Sequence, residues 1–242
     1  MSVNITCWRL EDRRGIAARS RRPGIVLRDR AAEDVNAIVL HQTSDHTLLE
    51  EQHLRPMERT PHLLHHVDNI RANFVVRLDG VIFYTHDVEV AVQSAGGFAR
   101  SGIDIEFACN LPHTRQPPSD PAQRLTVDAI LAGRRLIRAL WARMRWLQYI
   151  HPHGQVQAAL MDGRACGGDT GVPCGKLDSC PGPDIWVNVG AWAVRELHLL
   201  TTPVGRFQNN GISELMANRA YTQDLGFLDE RTVHHARVCP PW

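Results

Sequence analysis

Residues 35–44 read Val35-Asn36-Ala37-Ile38-Val39-Leu40-His41-Gln42-Thr43-Ser44. The first six form a short apolar run rich in β-branched side chains, the pattern of a buried strand. A histidine follows at once, where the strand end meets a polar loop. A strand end is a rigid place from which to hold a ligand, so this stretch sets both the expected fold and the first expected site residue.

The neighbouring segments extend the pattern. Asn73–Val76 and Val81–Tyr84 are apolar runs separated by Arg77-Leu78-Asp79-Gly80, and Asp-Gly between such runs signals a hairpin. Ile103–Phe107 reads IDIEF. Its alternation places Asp104 and Glu106 on the face opposite the apolar positions. From about Ala122 to Gln148 the period lengthens: Val127, Ile130, Ile137, Leu140, Trp141 and Met144 mark an amphipathic helix laid over a sheet. Leu147–His153 returns to strand, and Ile185–Leu200 reads as a closing helix. Residues 45–70 are polar and His-rich and read as helical in part. The prolines of 113–121 and the glycines and cysteines of 161–180 mark loops. The expected fold is therefore α/β, a central mixed sheet flanked by helices. Residues 1–30 read as an Arg-rich, solvated arm, 31–200 as the domain and 201–242 as an extension packed on or beside it.

Composition excludes several classes. The net charge of the 242 residues is +1, so no global field recruits nucleic acid. No apolar run approaches the length of a membrane span. The N-terminal stretch lacks the apolar core of a secretory signal. The six cysteines are scattered rather than arranged as a disulfide scaffold. Neither a Gly-x-Ser-x-Gly elbow nor a Gly-rich phosphate loop is present. The 13 histidines instead favour metal chemistry, and Lys176 is the single lysine among 27 basic residues.

Catalytic zinc takes three protein ligands and keeps one position open. Three places carry suitable residues: His41, the pair His151 and His153 at the end of a second strand, and Cys180 at the head of a Cys-Pro-Gly-Pro turn. A closed structural site made from Cys166, Cys174, Cys180 and His153 is the rival arrangement, although its spacing lacks a Cys-x₂₋₄-Cys knuckle.

Taken together, AIVLHQTS, NFVVRLDGVIFYTHD, IDIEF, IHPHGQ and DSCPGPDIW resemble the N-acetylmuramoyl-L-alanine amidase type 2 family, which includes phage lysozyme-type amidases and peptidoglycan recognition proteins. The resemblance covers roughly Val35–Ala193. It implies a zinc cleft at one sheet face, Zn²⁺ as cofactor, and peptidoglycan or a muropeptide as substrate. It makes His41 the first ligand and Cys180 the third. His153 is preferred as the second, because the family places that histidine before a short polar step such as Gly154-Gln155. His151 would then orient a ligand or face substrate.

Glu106 matches the family's general base, and Lys176 the basic residue that stabilises the oxyanion. Lys176 stands four positions before Cys180, whereas relatives place a basic residue two before; that position is Asp178 here. The family's Tyr before the second strand is also absent, since this stretch reads Arg71-Ala72-Asn73-Phe74. Thr43 and Asn73 are expected to hydrogen-bond a ligand or the substrate. The implied activity is cleavage of the amide between N-acetylmuramic acid and L-Ala, and the alternative is a recognition module that binds muropeptide without cutting it. A lysin, a wall-recycling enzyme and an antibacterial effector would share this core. Without a signal, the wall would be reached after lysis or by injection, and any delivery or immunity partner is left open.

Overall fold

A computed structural model of the protein describes residues 9–15, 27–43, 70–92, 99–109, 125–153 and 180–201. The opening apolar run forms a strand over Ala37–Gln42, here β3, and all six of its residues are buried. Around it lie β1 (Leu10–Asp12), β4 (Phe74–Val76), β5 (Ile82–Tyr84), β7 (Gly102–Phe107) and β8 (Tyr149–Pro152), in the order β1-β5-β4-β7-β3-β8. β3 runs parallel to both β7 and β8, and β4 parallel to β7, whereas β4 and β5 are antiparallel. The sheet is therefore mixed. Two further strands, β2 (Leu27–Asp29) and β6 (Val90–Val92), form a separate antiparallel pair.

The hairpin between β4 and β5 turns where Asp-Gly marks it. Gly80 adopts φ +81°, a conformation that favours glycine, and its N–H donates to the Arg77 carbonyl at 3.0 Å. A Cβ there would also press on the Asp128 carbonyl oxygen at 3.2 Å.

Helix α1 spans Val127–Arg143, shorter at both ends than its periodicity suggests. Thr126 caps it, accepting the Ala129 N–H at 3.1 Å and donating its own hydroxyl to the Leu78 carbonyl. The face it buries differs from the expected stripe. Ala129, Ile130, Ala132, Gly133, Leu136 and Ile137 turn inward, while Val127 and Trp141 are exposed. Close approach is the reason. A Cβ on Gly133 would lie 2.6 Å from the Phe107 ring, so small residues set this contact.

A second helical stretch, α2, covers 183–196. It is α-helical over Pro183–Ile185, wider over Trp186–Gly190 and α-helical again over Ala191–Glu196. The wide turn is a π-bulge. Arg134 of α1 donates Nε to the Asn188 carbonyl within that bulge at 2.7 Å and lays its guanidinium over the Trp192 ring. The chain stops being helical at Leu197, earlier than Leu200, because Leu200 pairs with the edge of β8 instead.

Together α1 and α2 cover one face of the sheet. Ile38, Leu40, Ile103, Ile105, Phe107 and Ile150 meet Ile130, Ile137, Trp186, Val189 and Trp192 in one continuous core. No described helix is long and apolar enough to cross a membrane.

The N-terminal stretch departs from the solvated arm expected of it. β1 pairs with β5 at the sheet edge, and Arg13 is buried with its guanidinium 5.0 Å from the Phe83 ring. Backbone pairing and cation–π contact hold a segment whose side chains carry little apolar signal. The expectations for 45–69, 113–121 and 161–179 lie outside the described residues, as does all but the first residue of 201–242.

Candidate metal centre

Strand register decides which side chains share the second face. Val39 stands opposite both Asp104 and His151, and His41 stands opposite Glu106. Side chains opposite one another in paired strands point to the same side. One face therefore gathers His41, Asp104, Glu106 and His151, while the other holds the aliphatic core.

At the C-terminal end of β3, the ligand atoms of His41, His153 and Cys180 lie within 4.8 Å of one another. Each arrives from a different anchor. His41 is the penultimate residue of β3. His153 directly follows β8, and its ring centroid is 4.5 Å from that of His41. Cys180 opens a turn in which Gly182 takes φ +90° and its carbonyl accepts the Trp186 N–H at 3.2 Å, feeding the chain into α2. The core contacts of α2 thereby fix the sulfur. Across the gap, the Gln42 N–H donates to Cys180 Sγ at 3.3 Å.

Of the two histidines at the end of β8, His153 joins the cluster. His151 sits inside the strand, buried, with its ring stacked on Tyr149 at 6.1 Å.

The donor set fits zinc. Two imidazoles and a thiolate are soft and borderline ligands that zinc accepts and that calcium or magnesium do not. Among the described residues the cluster holds three such ligands, the number that leaves a fourth position for water or substrate. Glu106 flanks it: Oε1 is 4.0 Å from His41 Nδ1, and the side chain is largely buried, at 14% exposure.

Asp104 has no expected role, yet it contacts the cluster directly through His41. It is fully buried, and its Oδ1 lies 2.8 Å from His41 Nε2. Alternation already puts Asp104 on the face of Glu106; only the register shows that His41 is its neighbour. Arg30 is likewise unforeseen. Its buried guanidinium donates to the carbonyls of Val88 at 2.7 Å, Ala99 at 2.9 Å and Gly102 at 2.6 Å. Burial lowers its pKa from the ordinary arginine value, while the charges of Asp104 and Asp34 act to raise it.

Two residues expected to hydrogen-bond a ligand or the substrate have protein partners in the structure. Asn73 is fully buried; its amide donates to the Asp87 carbonyl at 2.8 Å, and its Oδ1 accepts the Asp104 N–H at 3.0 Å. These bonds join β7 to the 86–90 segment and satisfy backbone groups of both. Thr43 is half-buried beyond His41 and donates to the Cys109 carbonyl at 3.3 Å. Lys176 lies outside the described residues.

No family model matches the chain, and no curated protein does. Among solved structures it is similar to the N-acetylmuramoyl-L-alanine amidase LysC of Clostridium intestinale, at 15% identity over 79% of this chain and 99% of that one, with a TM-score of 0.46. It is similar also to wild-type Drosophila PGRP-LB, at 16% identity over 80% of this chain and 97% of that one, TM-score 0.47. Drosophila peptidoglycan recognition protein SA matches at 15% identity over 62% and 82%, TM-score 0.43.

Proposed function

We propose that the protein is a zinc-dependent N-acetylmuramoyl-L-alanine amidase, hydrolysing the amide between the lactyl group of N-acetylmuramic acid and L-Ala of the stem peptide. The observation that carries this reading is the convergence of His41, His153 and Cys180 beside Glu106. The motif resemblance supplies the substrate.

Zinc held by these three side chains would supply Lewis acidity and make a water acidic enough to lose a proton near neutral pH. The chain's own residues do the rest. Glu106 accepts that proton as the water oxygen adds to the amide carbon. It then returns a proton to the L-Ala nitrogen as the C–N bond breaks. One water is consumed, and the products are a free lactyl carboxylate and an intact stem peptide. Lys176, on the sequence resemblance alone, is assigned to the negative charge that develops on the carbonyl oxygen. The buried face of α1 and α2 keeps the strand ends rigid, which holds the ligands and the base in one geometry.

The test is to incubate zinc-loaded protein with soluble and cross-linked muropeptides and analyse the products by mass spectrometry. Release of intact stem peptide is expected. Zinc-loaded protein that binds muropeptide but frees no peptide would replace this reading with that of a recognition module.

A further inference from the structure

We propose that Asp104 is the positioning residue of this centre: its Oδ1 holds the proton of His41 on Nε2, so that the Nδ1 lone pair is presented to the metal. The inference rests on His41 being a ligand, as the proposed function has it, and adds which of its two nitrogens binds and why.

The geometry leads to it directly. His41 Nε2 and Asp104 Oδ1 are 2.8 Å apart, and both side chains are almost wholly removed from solvent. An ionised carboxylate only accepts hydrogen bonds, so Nε2 must be the donor. A neutral imidazole carries one N–H, and fixing it on Nε2 places the lone pair on Nδ1. That nitrogen faces the side of Glu106, 4.0 Å from its Oε1. A ligand histidine whose other nitrogen donates to a carboxylate is held in one tautomer and one ring orientation, and it becomes a stronger base toward the metal.

Three further observations separate this from a general packing role. Among the described residues, Asp104 Oδ2 has no hydrogen-bond partner, so the side-chain hydrogen bonding of this buried carboxylate is directed at His41. Leaving such an atom bare is costly and calls for an explanation. Arg30 supplies part of it. Its guanidinium, pinned to the Gly102 carbonyl two residues before Asp104 on β7, is a buried positive charge that attracts the carboxylate. Asn73 supplies the backbone counterpart, holding the Asp104 N–H at 3.0 Å and donating its own N–H to the Asp104 carbonyl at 2.9 Å. Asp104 is thus clamped along its main chain while its side chain serves His41.

The experiment reads the tautomer of His41 by ¹⁵N NMR in the metal-free, ¹⁵N-labelled protein, at a pH where the ring is neutral, and zinc affinity by competition with a chelating dye. Wild-type protein should show His41 protonated on Nε2. Asp104→Leu should lose that preference and bind zinc about 10–100-fold more weakly. Asp104→Asn keeps an acceptor oxygen, so it should keep the Nε2–H tautomer and lose less affinity. A wild-type His41 protonated on Nδ1 would overturn the proposal without any variant, and so would folded Asp104→Leu with unchanged zinc affinity. Neither readout involves muropeptide. The proposal can therefore fail while peptide release succeeds, or hold while peptide release fails.

Discussion

Along β3, β7 and β8 the two faces of the central sheet are one residue apart and differ in chemistry. Leu40 points into the core and His41 into the site. Ile105 packs under α1 and α2, while its neighbours Asp104 and Glu106 stand beside the imidazole. The same parity separates Ile150 from His151. No residue of these strands has to serve both stability and chemistry. The dry face makes the strand ends rigid, and the other face can then afford groups that are expensive to bury.

Changes on the site face should break function and spare the fold. Cys180→Ser is expected to bring stem-peptide release to background, with thermal unfolding of the metal-free protein close to wild type. Glu106→Gln should keep zinc and lose about 10²–10⁴-fold in turnover, the usual worth of a positioned acid–base group. Turnover retained in that variant would move the base elsewhere.

On the dry face the outcome should invert. Leu40→Ala, one residue from a ligand, should cost about 2–5 kcal/mol in denaturant unfolding, while the folded fraction still binds zinc in full. Gly133→Ala should cost about 1–3 kcal/mol, because the new methyl group meets the Phe107 ring inside a packed core. A Leu40→Ala protein of wild-type stability would erase the division between the faces.

The smallest effect lies at the sheet edge, away from both faces. Arg14 bridges Asp12 at 2.7 Å and Asp87 at 2.6 Å. Its hydrogen bond lowers the Asp12 pKa; burial pushes Asp87 up, but the Glu89 N–H and Arg14 together bring it below its ordinary value. These side chains are well exposed, so solvent screening limits Arg14→Ala to less than about 1 kcal/mol at pH 7. Both carboxyls are held low in the folded state. The contribution is therefore present above the unfolded carboxylate pKa and is lost as pH falls through the lower folded values. Thermal melts of wild type and variant should converge in acid.

The legible parts of the fold were those written in local pattern. Alternation in IDIEF, the Asp-Gly turn and the β-branched run before His41 each correspond to a structural element at its place. Contributions from contacts distant in sequence were not legible. Nothing near Arg30 says that its guanidinium will be buried against carbonyls from 88, 99 and 102, and nothing near Leu10 says that it will pair with Ile82. The stripe read for α1 included Val127 and Trp141, which are exposed, and left out Gly133, where an added Cβ would lie 2.6 Å from the Phe107 ring. In the site, residue types were legible and register was not. The partners of Asp104 and Asn73 became visible only with their neighbours across the sheet.

The cysteines show the same limit. Cys109 and Cys180 are both buried. Burial, joined by the charges of Glu106 and Asp184, raises the Cys109 thiol well above its ordinary range. Cys180 differs through its two histidine neighbours and the Gln42 N–H, which only the fold brings to it.

Zinc content is the sharpest probe of the three-ligand centre. Metal analysis of the purified, zinc-equilibrated protein should give one zinc per chain. Folded His41→Ala, His153→Ala and Cys180→Ser should each hold markedly less. Wild-type protein without zinc, or zinc retained at full stoichiometry in all three variants, would contradict it.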